Sequence, residues 1–180
     1  GTNLGLDVPG ERSGLIPTKA WKRAVIGQPW VLGETLVAGI GQGFVLTTPL
    51  QLATMTARMV NGGKPVLPHL ARDVVTRGEL VQRQAETYTP IGVNPRHLKL
   101  VMDAMTKVTQ DPSGTAFAAR IQQPGMSMAG KTGTVQVRRI SQRERDDGVI
   151  KNRDLEWKYR DHALFVGYGP IEKPRYAIAV

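Results

Sequence analysis

Two stretches of the chain repeat apolar residues at three- and four-residue steps, and the last third repeats them at steps of two. The first helical stretch runs over 49–61, with Leu52, Met55 or Thr56, Met59 and Val60 on one face. Thr48 stands at the N-cap, Pro49 suits the first helical position, and Gly62-Gly63 stop the helix. The second runs from Pro95 to about Gln110, capped by Asn94, with a stripe of Leu98, Val101, Met102, Met105 and Val108. A methionine-bearing stripe at that spacing is read as core, not as a ligand site. From residue 124 onward the period changes to two: "TVQV" (134–137), "HALFVGYG" (162–169) and "RYAIAV" (175–180) read as strands. The segment "PIEKP" (170–174) is short enough to join the last two strands as an antiparallel pair.

The remaining segments are weaker. Residues 65–88 alternate loosely and predict a surface hairpin around Arg77-Gly78. Residues 1–35 are rich in Gly and Pro and read as irregular, with one short helix near Thr18–Ala24 that Thr18 caps. "GIGQG" (39–43) reads as a Gly-rich turn. Helices first and strands last predict an α+β domain, a mainly antiparallel sheet with helices packed on it.

Composition narrows the function classes. At 180 residues the chain suits one domain with a real core, and 41% apolar with 22% charged residues describes a soluble globular protein. A net charge of +9 raises the question of nucleic acid, but the Lys and Arg residues are scattered. The densest basic stretch, 138–161, is interleaved with Glu144, Asp146, Asp147, Asp154 and Glu156, the pattern of a solvated surface. No nucleic-acid partner is expected, although the surplus positive charge would gather anionic groups. The absence of cysteine excludes thiol catalysis, disulfides and thiolate metal sites. His69, His97 and His162 have no metal-ligand spacing, so neither metal nor cofactor is expected. No apolar run reaches membrane-spanning length and the start is not a signal peptide. A chain that begins without Met and ends inside "RYAIAV" reads as a piece of something longer.

The chemistry concentrates in "GMSMAGKTGTVQV" (125–137), which fits two incompatible patterns. Gly125 to Thr132 match the phosphate-loop spacing G-x-x-x-x-G-K-[ST]. Lys131-Thr132-Gly133-Thr134 match the K-T-G element of penicillin-recognising serine enzymes. A phosphate loop needs a buried strand before it and a helix after it. Here "AARIQQP" precedes, and Gly133 with three β-branched residues follows, which favours a strand. Read as a strand, Thr132, Thr134 and Gln136 share one face, and Lys131, Gly133 and Val135 take the other. Two hydroxyls in line can bind a carboxylate, and Gly133 leaves room for another backbone to lie close. On an edge strand, free amides would also serve a peptide-like substrate and a developing oxyanion.

Five blocks then fall into register: "GLDVPGERSGLIPT" (5–18), 37–63, "PSGTA" (112–116), "MAGKTGTVQV" (128–137) and "DHALFVGYGP" (161–170). Together they resemble the C-terminal part of the transpeptidase domain of class B penicillin-binding proteins, and most of all the elongation-specific branch. The resemblance implies a peptidoglycan D,D-transpeptidase that binds D-Ala-D-Ala stem peptides and β-lactams. It implies that Thr132 and Thr134 hold the substrate carboxylate beside Gly133, that the Thr134 amide forms half an oxyanion hole, and that Lys131 meets the serine of a second motif. It also implies partners among the membrane proteins of the elongation complex, a location at the periplasmic face of the bacterial inner membrane, and a membrane anchor upstream.

The family's nucleophile motif S-x-x-K and its S-x-N are missing: Ser13, Ser113, Ser127 and Ser141 fit neither. Ser113 reads as a turn residue and Ser127 as a strand-entry residue. The nucleophile is therefore expected in an upstream segment, and these 180 residues alone are expected to be inactive. The rival readings are a β-lactamase on the same scaffold and a non-enzymatic sensing or interaction module that docks through 138–161.

Overall fold

The computed structural model describes residues 3–71, 73–76, 79–82, 90–138 and 140–180. Its elements in chain order are α1 (Lys19–Ile26), α2 (Leu32–Gly39), α3 (Pro49–Val60), β1 (Asp73–Thr76), β2 (Glu79–Gln82), α4 (Pro95–Gln110), β3 (Ala129–Val135), α5 (Gln142–Asp147), β4 (His162–Gly169) and β5 (Tyr176–Ala179). β1 and β2 form an antiparallel pair, as the weak alternation predicted; the turn at Arg77-Gly78 lies outside the described residues. β3, β4 and β5 form an antiparallel sheet in that order. The α+β reading holds.

Local chemistry explains the helices. Thr48 Oγ1 accepts from the Gln51 amide at 3.1 Å while Gln51 Oε1 accepts from the Thr48 amide at 3.0 Å, a reciprocal cap that starts α3. Asn94 Oδ1 accepts from the Arg96 amide at 2.9 Å and starts α4. Thr18 Oγ1 accepts from the Trp21 amide at 3.0 Å, and Gly27 in the left-handed region ends α1. α1 runs two residues past the predicted Ala24.

α2 was not legible, because the segment 1–35 read as irregular apart from one short helix. Val31 at its N-cap carries no capping oxygen and Gly33 disfavours a helix. Tertiary contacts supply what propensity lacks. Glu34 Oε2 accepts from the Val31 amide at 2.9 Å, and the other carboxylate oxygen lies 2.5 Å from the buried Lys22 ammonium. Lys22 Nζ also donates to the Pro29 carbonyl at 2.7 Å, so one buried cation ties α1, the connecting loop and α2 together.

One face of the sheet carries α3 and α4. Met105 of α4, Ala129 of β3 and Tyr168 of β4 form the buried centre, and Met59, Val60, Met102, Val166 and Ile171 pack around it. One expected core position points elsewhere. In α3, where Met55 or Thr56 was expected on the buried face, Thr56 is buried together with Thr54 and donates its hydroxyl to the Leu52 carbonyl, whereas Met55 is exposed. In α4 the buried side chains are Leu98, Met105 and Thr109, and Val101 sits off that face. A threonine can line a core when its hydroxyl turns back on its own helix, which a purely hydrophobic count overlooks.

The end of α4 fixes where β3 begins. Thr109, fully buried, donates to the Met128 carbonyl at 2.6 Å, and Gln110 Nε2 donates to the same oxygen at 3.0 Å. Thr109→Val keeps the shape and removes one of the two donors. We expect a loss of about 1 kcal/mol in chemical denaturation, the lower end for a buried bond because Gln110 still satisfies the carbonyl.

β3 overlaps the strand expected at 131–137 but lies closer to the N-terminus: it starts at Ala129 and ends at Val135, because pairing with β4 decides its length. Gln136 and Val137 leave the sheet, and the Val137 amide donates instead to Asp161 Oδ1 at 3.3 Å. Arg138 then pairs with Glu144, its two terminal nitrogens 2.7 and 2.5 Å from the carboxylate oxygens. The Arg138 hydrogen bonds, ahead of its charge, hold the Glu144 carboxyl below its ordinary range. A depressed folded-state value means the pair stabilises the fold above the unfolded pKa of about 4.3 and is lost as pH falls through the lower folded value. Arg138→Gln should therefore flatten the decline in thermal midpoint on acidification below about pH 4.5.

Candidate active site

The phosphate-loop alternative fails on geometry. Lys131 lies inside β3, and no helix follows it. The question is then what the strand presents.

β3 pairs only with β4, so its other side is a free edge among the described residues. Which backbone groups point there follows from β4. The Phe165 amide and carbonyl are both spent on Val180 across β5, each at 2.9 Å, so neither points toward β3. Phe165 stands opposite Thr132, and the alternation of paired and unpaired rungs then turns Gly130, Thr132 and Thr134 outward. Lys131, Gly133 and Val135 bond to β4.

Two of the three outward carbonyls are already occupied. Lys131 Nζ curls back to donate to the Thr132 carbonyl at 2.6 Å, and Gln42 Nε2 reaches the Thr134 carbonyl at 3.4 Å. The outward amides of Thr132 and Thr134 have no partner among the described residues. An edge strand normally offers donors and acceptors alternately. At Thr132 and Thr134 the acceptors are covered from within and the donors are open, so this part of the edge is polarised toward an anion or an oxyanion. Lys131 has no carboxylate partner among the described residues, which leaves its charge at the same edge.

A hydroxyl cluster adds to it. Thr115 Oγ1 lies 3.0 Å from Thr132 Oγ1. Thr115 is held there by the loop after α4. Asp111 Oδ1 accepts from the Ser113 amide at 2.8 Å and from its hydroxyl at 2.6 Å, and the Ala116 amide donates to the Val108 carbonyl at 3.0 Å. Only glycine fits at 114, since a Cβ would stand 2.3 Å from the Val108 carbonyl oxygen and 2.4 Å from that of Lys107. The Ser113 hydroxyl and amide bonds hold the Asp111 carboxyl below its ordinary range, so it stays an acceptor for the turn.

The predicted residues thus converge: Lys131, Thr132, Gly133 and Thr134 share one exposed or half-buried edge. The close backbone approach expected at Gly133 is not made by this chain, because a Cβ there would meet only Leu164 Cβ, at an ordinary 3.6 Å. Ser113 and Ser127 take the expected structural roles, Ser127 just before β3 with its hydroxyl 3.4 Å from Glu172 Oε2. His69, His97 and His162 are exposed, and no cluster suited to a metal exists among the described residues. Two residues escaped the sequence reading, Thr115 and Gln42. Each has glycine beside it, Gly114 before Thr115 and Gly41 and Gly43 on either side of Gln42, and those glycines were the available signal.

An α+β scaffold with an exposed K-T-G-T edge strand is the architecture of penicillin-recognising serine enzymes. The description "Penicillin binding protein transpeptidase domain" matches residues 1–180, and the chain belongs to that family. It is 38% identical to the peptidoglycan D,D-transpeptidase MrdA of Acinetobacter baumannii over all of this chain and 26% of that protein. It is 31% identical to MrdA of Escherichia coli K12 over all of this chain and 28% of that one. The chain therefore spans about a quarter of the length of these relatives. Among solved structures it is similar to PBP2 of Pseudomonas aeruginosa in complex with WCK 5153, with a TM-score of 0.77, 35% identity, and coverage of 99% of this chain and 35% of that one. PBP2 of Helicobacter pylori, solved in complex with MreC, gives a TM-score of 0.73 at 30% identity, covering 98% of this chain and 28% of that one.

Proposed function

We propose that the whole protein is a peptidoglycan D,D-transpeptidase of the elongation-specific class, and that these residues form the donor-binding wall of its cleft. The observation that carries the reading is the polarised edge: open outward amides at Thr132 and Thr134, with hydroxyls of Thr115, Thr132 and Thr134 beside them. The hydroxyls anchor the terminal carboxylate of the D-Ala-D-Ala donor. The Thr134 amide donates to the carbonyl oxygen that becomes negative in the tetrahedral intermediate. Lys131 carries its charge to the serine of the second motif, and Gly133 leaves space for the substrate backbone.

The nucleophile is a serine in an S-x-x-K motif outside these 180 residues. Its oxygen attacks the penultimate D-Ala carbonyl, the bond to the terminal D-alanine nitrogen breaks, and D-alanine leaves with the transferred proton. An amine of a neighbouring stem peptide then attacks the serine ester, forms the cross-link and returns the serine. β-Lactams stop at the ester. By likeness to the relatives, the protein acts at the periplasmic face of the inner membrane, anchored by a segment outside this chain, beside elongation proteins of the MreC kind. No helix among the described residues is long and apolar enough to cross a membrane.

A fluorescent penicillin should label the full-length protein, and Thr134→Val should lower the acylation rate about tenfold by removing one anchoring hydroxyl. Unchanged labelling would remove Thr134 from the site. Rapid release of the label would make the protein a hydrolase instead.

A further inference from the structure

The covering of the Thr134 carbonyl by Gln42 is an arrangement the acyl-transfer reading does not use. Gln42 sits between Gly41 and Gly43, both in the left-handed region at φ 76° and 74°. The Gly41 and Gln42 amides donate to the Ala38 and Val37 carbonyls at 3.0 Å each, which closes the end of α2. A Cβ at Gly43 would press on Val37 Cγ1 at 3.0 Å. Two residues on, Phe44 packs against Trp21, ring centroids 5.3 Å apart, and Leu46 exchanges both backbone bonds with Leu15. The loop is therefore pinned at both ends, and only the side chain of Gln42 crosses to β3. Its bond to the Thr134 carbonyl, at 3.4 Å, is long and weak.

A peptide donor that lies along a free strand edge bonds to both kinds of outward group. If its scissile carbonyl takes the Thr134 amide, the next peptide N–H on its acyl side meets the Thr134 carbonyl, the acceptor Gln42 now covers. We propose that Gln42 is a displaceable placeholder on that acceptor, which lowers the cleft's preference for acyl donors that bring their own N–H, because such a donor must first displace its carboxamide. Its weak bond keeps an unoccupied edge from pairing with other strands, and a matching donor regains the lost bond in full. A donor without that N–H leaves Gln42 where it is. This inference rests on the transpeptidase reading and names a specificity-determining residue within it.

The test uses the full-length protein and two acylating probes: a penicillin with an exocyclic amide N–H, and a carbapenem, which has no N–H at that position. Gln42→Ala removes the competitor, and Gln42→Met removes the donor while keeping the length of the side chain. In both variants the ratio of the penicillin to the carbapenem acylation rate constants should rise about two- to five-fold, the scale of one weak hydrogen bond. A ratio that stays unchanged, or falls because penicillin is slowed, would show Gln42 to be a mere support for the strand and overturn the proposal. If neither probe acylates the parent protein, the transpeptidase reading itself fails, and this inference with it.

Discussion

Thr134→Pro should abolish nearly all acylation while leaving the fold intact. Proline is excluded from a central strand because it removes a ladder hydrogen bond, but it is tolerated on an edge strand where the N–H faces outward. Thr134 is such a position. Its partner across the sheet is Ala163, which shares the orientation of Phe165, and Phe165 spends its backbone bonds on β5. The sheet therefore loses nothing when the Thr134 N–H disappears. Gly133 before it is already extended in the strand, as the residue before a proline must be. What disappears is the outward donor, and losing one oxyanion donor lowers acyl transfer about 10²–10³-fold. Thr134→Val is the control: it removes the same hydroxyl but keeps the amide, and should fall only about tenfold. Stopped-flow acylation with a fluorescent penicillin measures both, and circular dichroism checks the fold. Equal rates for Pro and Val would show that the amide contributes nothing.

The parts of the fold written in local chemistry were legible. Thr48-Pro49 and Asn94-Pro95 announce their helices because capping oxygens and a helix-compatible φ act within one turn. β4 was legible to the residue, since "HALFVGYG" is apolar and aromatic along its length, with Gly167 and Tyr168 buried near its end. α2 was not, because it depends on Lys22, twelve residues before Glu34, burying its ammonium under the helix start. The start of β3 was not, because Thr109 and Gln110 of α4 hold Met128 from outside. The candidate site divides in the same way. Lys131 to Thr134 could be read as a strand with two hydroxyls in line. That the Thr134 carbonyl is covered and the Thr132 and Thr134 amides are open depends on Gln42 and on the register with β4, neither of which leaves a mark in the tetrapeptide.

The register itself hangs on one residue, which gives the second large expected effect: Gly130→Ala should both destabilise the protein and silence the site. A Cβ at Gly130 would stand 2.2 Å from Phe165 Cζ, 2.7 Å from Phe165 Cε2 and 2.7 Å from the Val166 carbonyl oxygen. The ring lies across Gly130 and its partner Gly167, where a Cβ would stand 2.8 Å from Phe165 Cε1. These glycines are required because Phe165 fills the space where their side chains would be. The ring can swing aside, but the carbonyl of Val166 belongs to β4 and moves only if the two strands separate. Overpacking of this kind destabilises by about 3 kcal/mol when backbone has to yield. Gly130 precedes Lys131 directly, so the separation displaces the edge that carries Lys131 and Thr132, and penicillin labelling should fall with stability. Phe165→Leu in the Gly130→Ala background separates the two clashes. Removing the ring should recover part of the lost denaturation midpoint, and the remainder is the Val166 oxygen, measured as the residual of a double-mutant cycle. Gly130→Ala at parental stability would mean that β3 and β4 are not paired in this register, and the orientation of the Thr134 amide would fall with it.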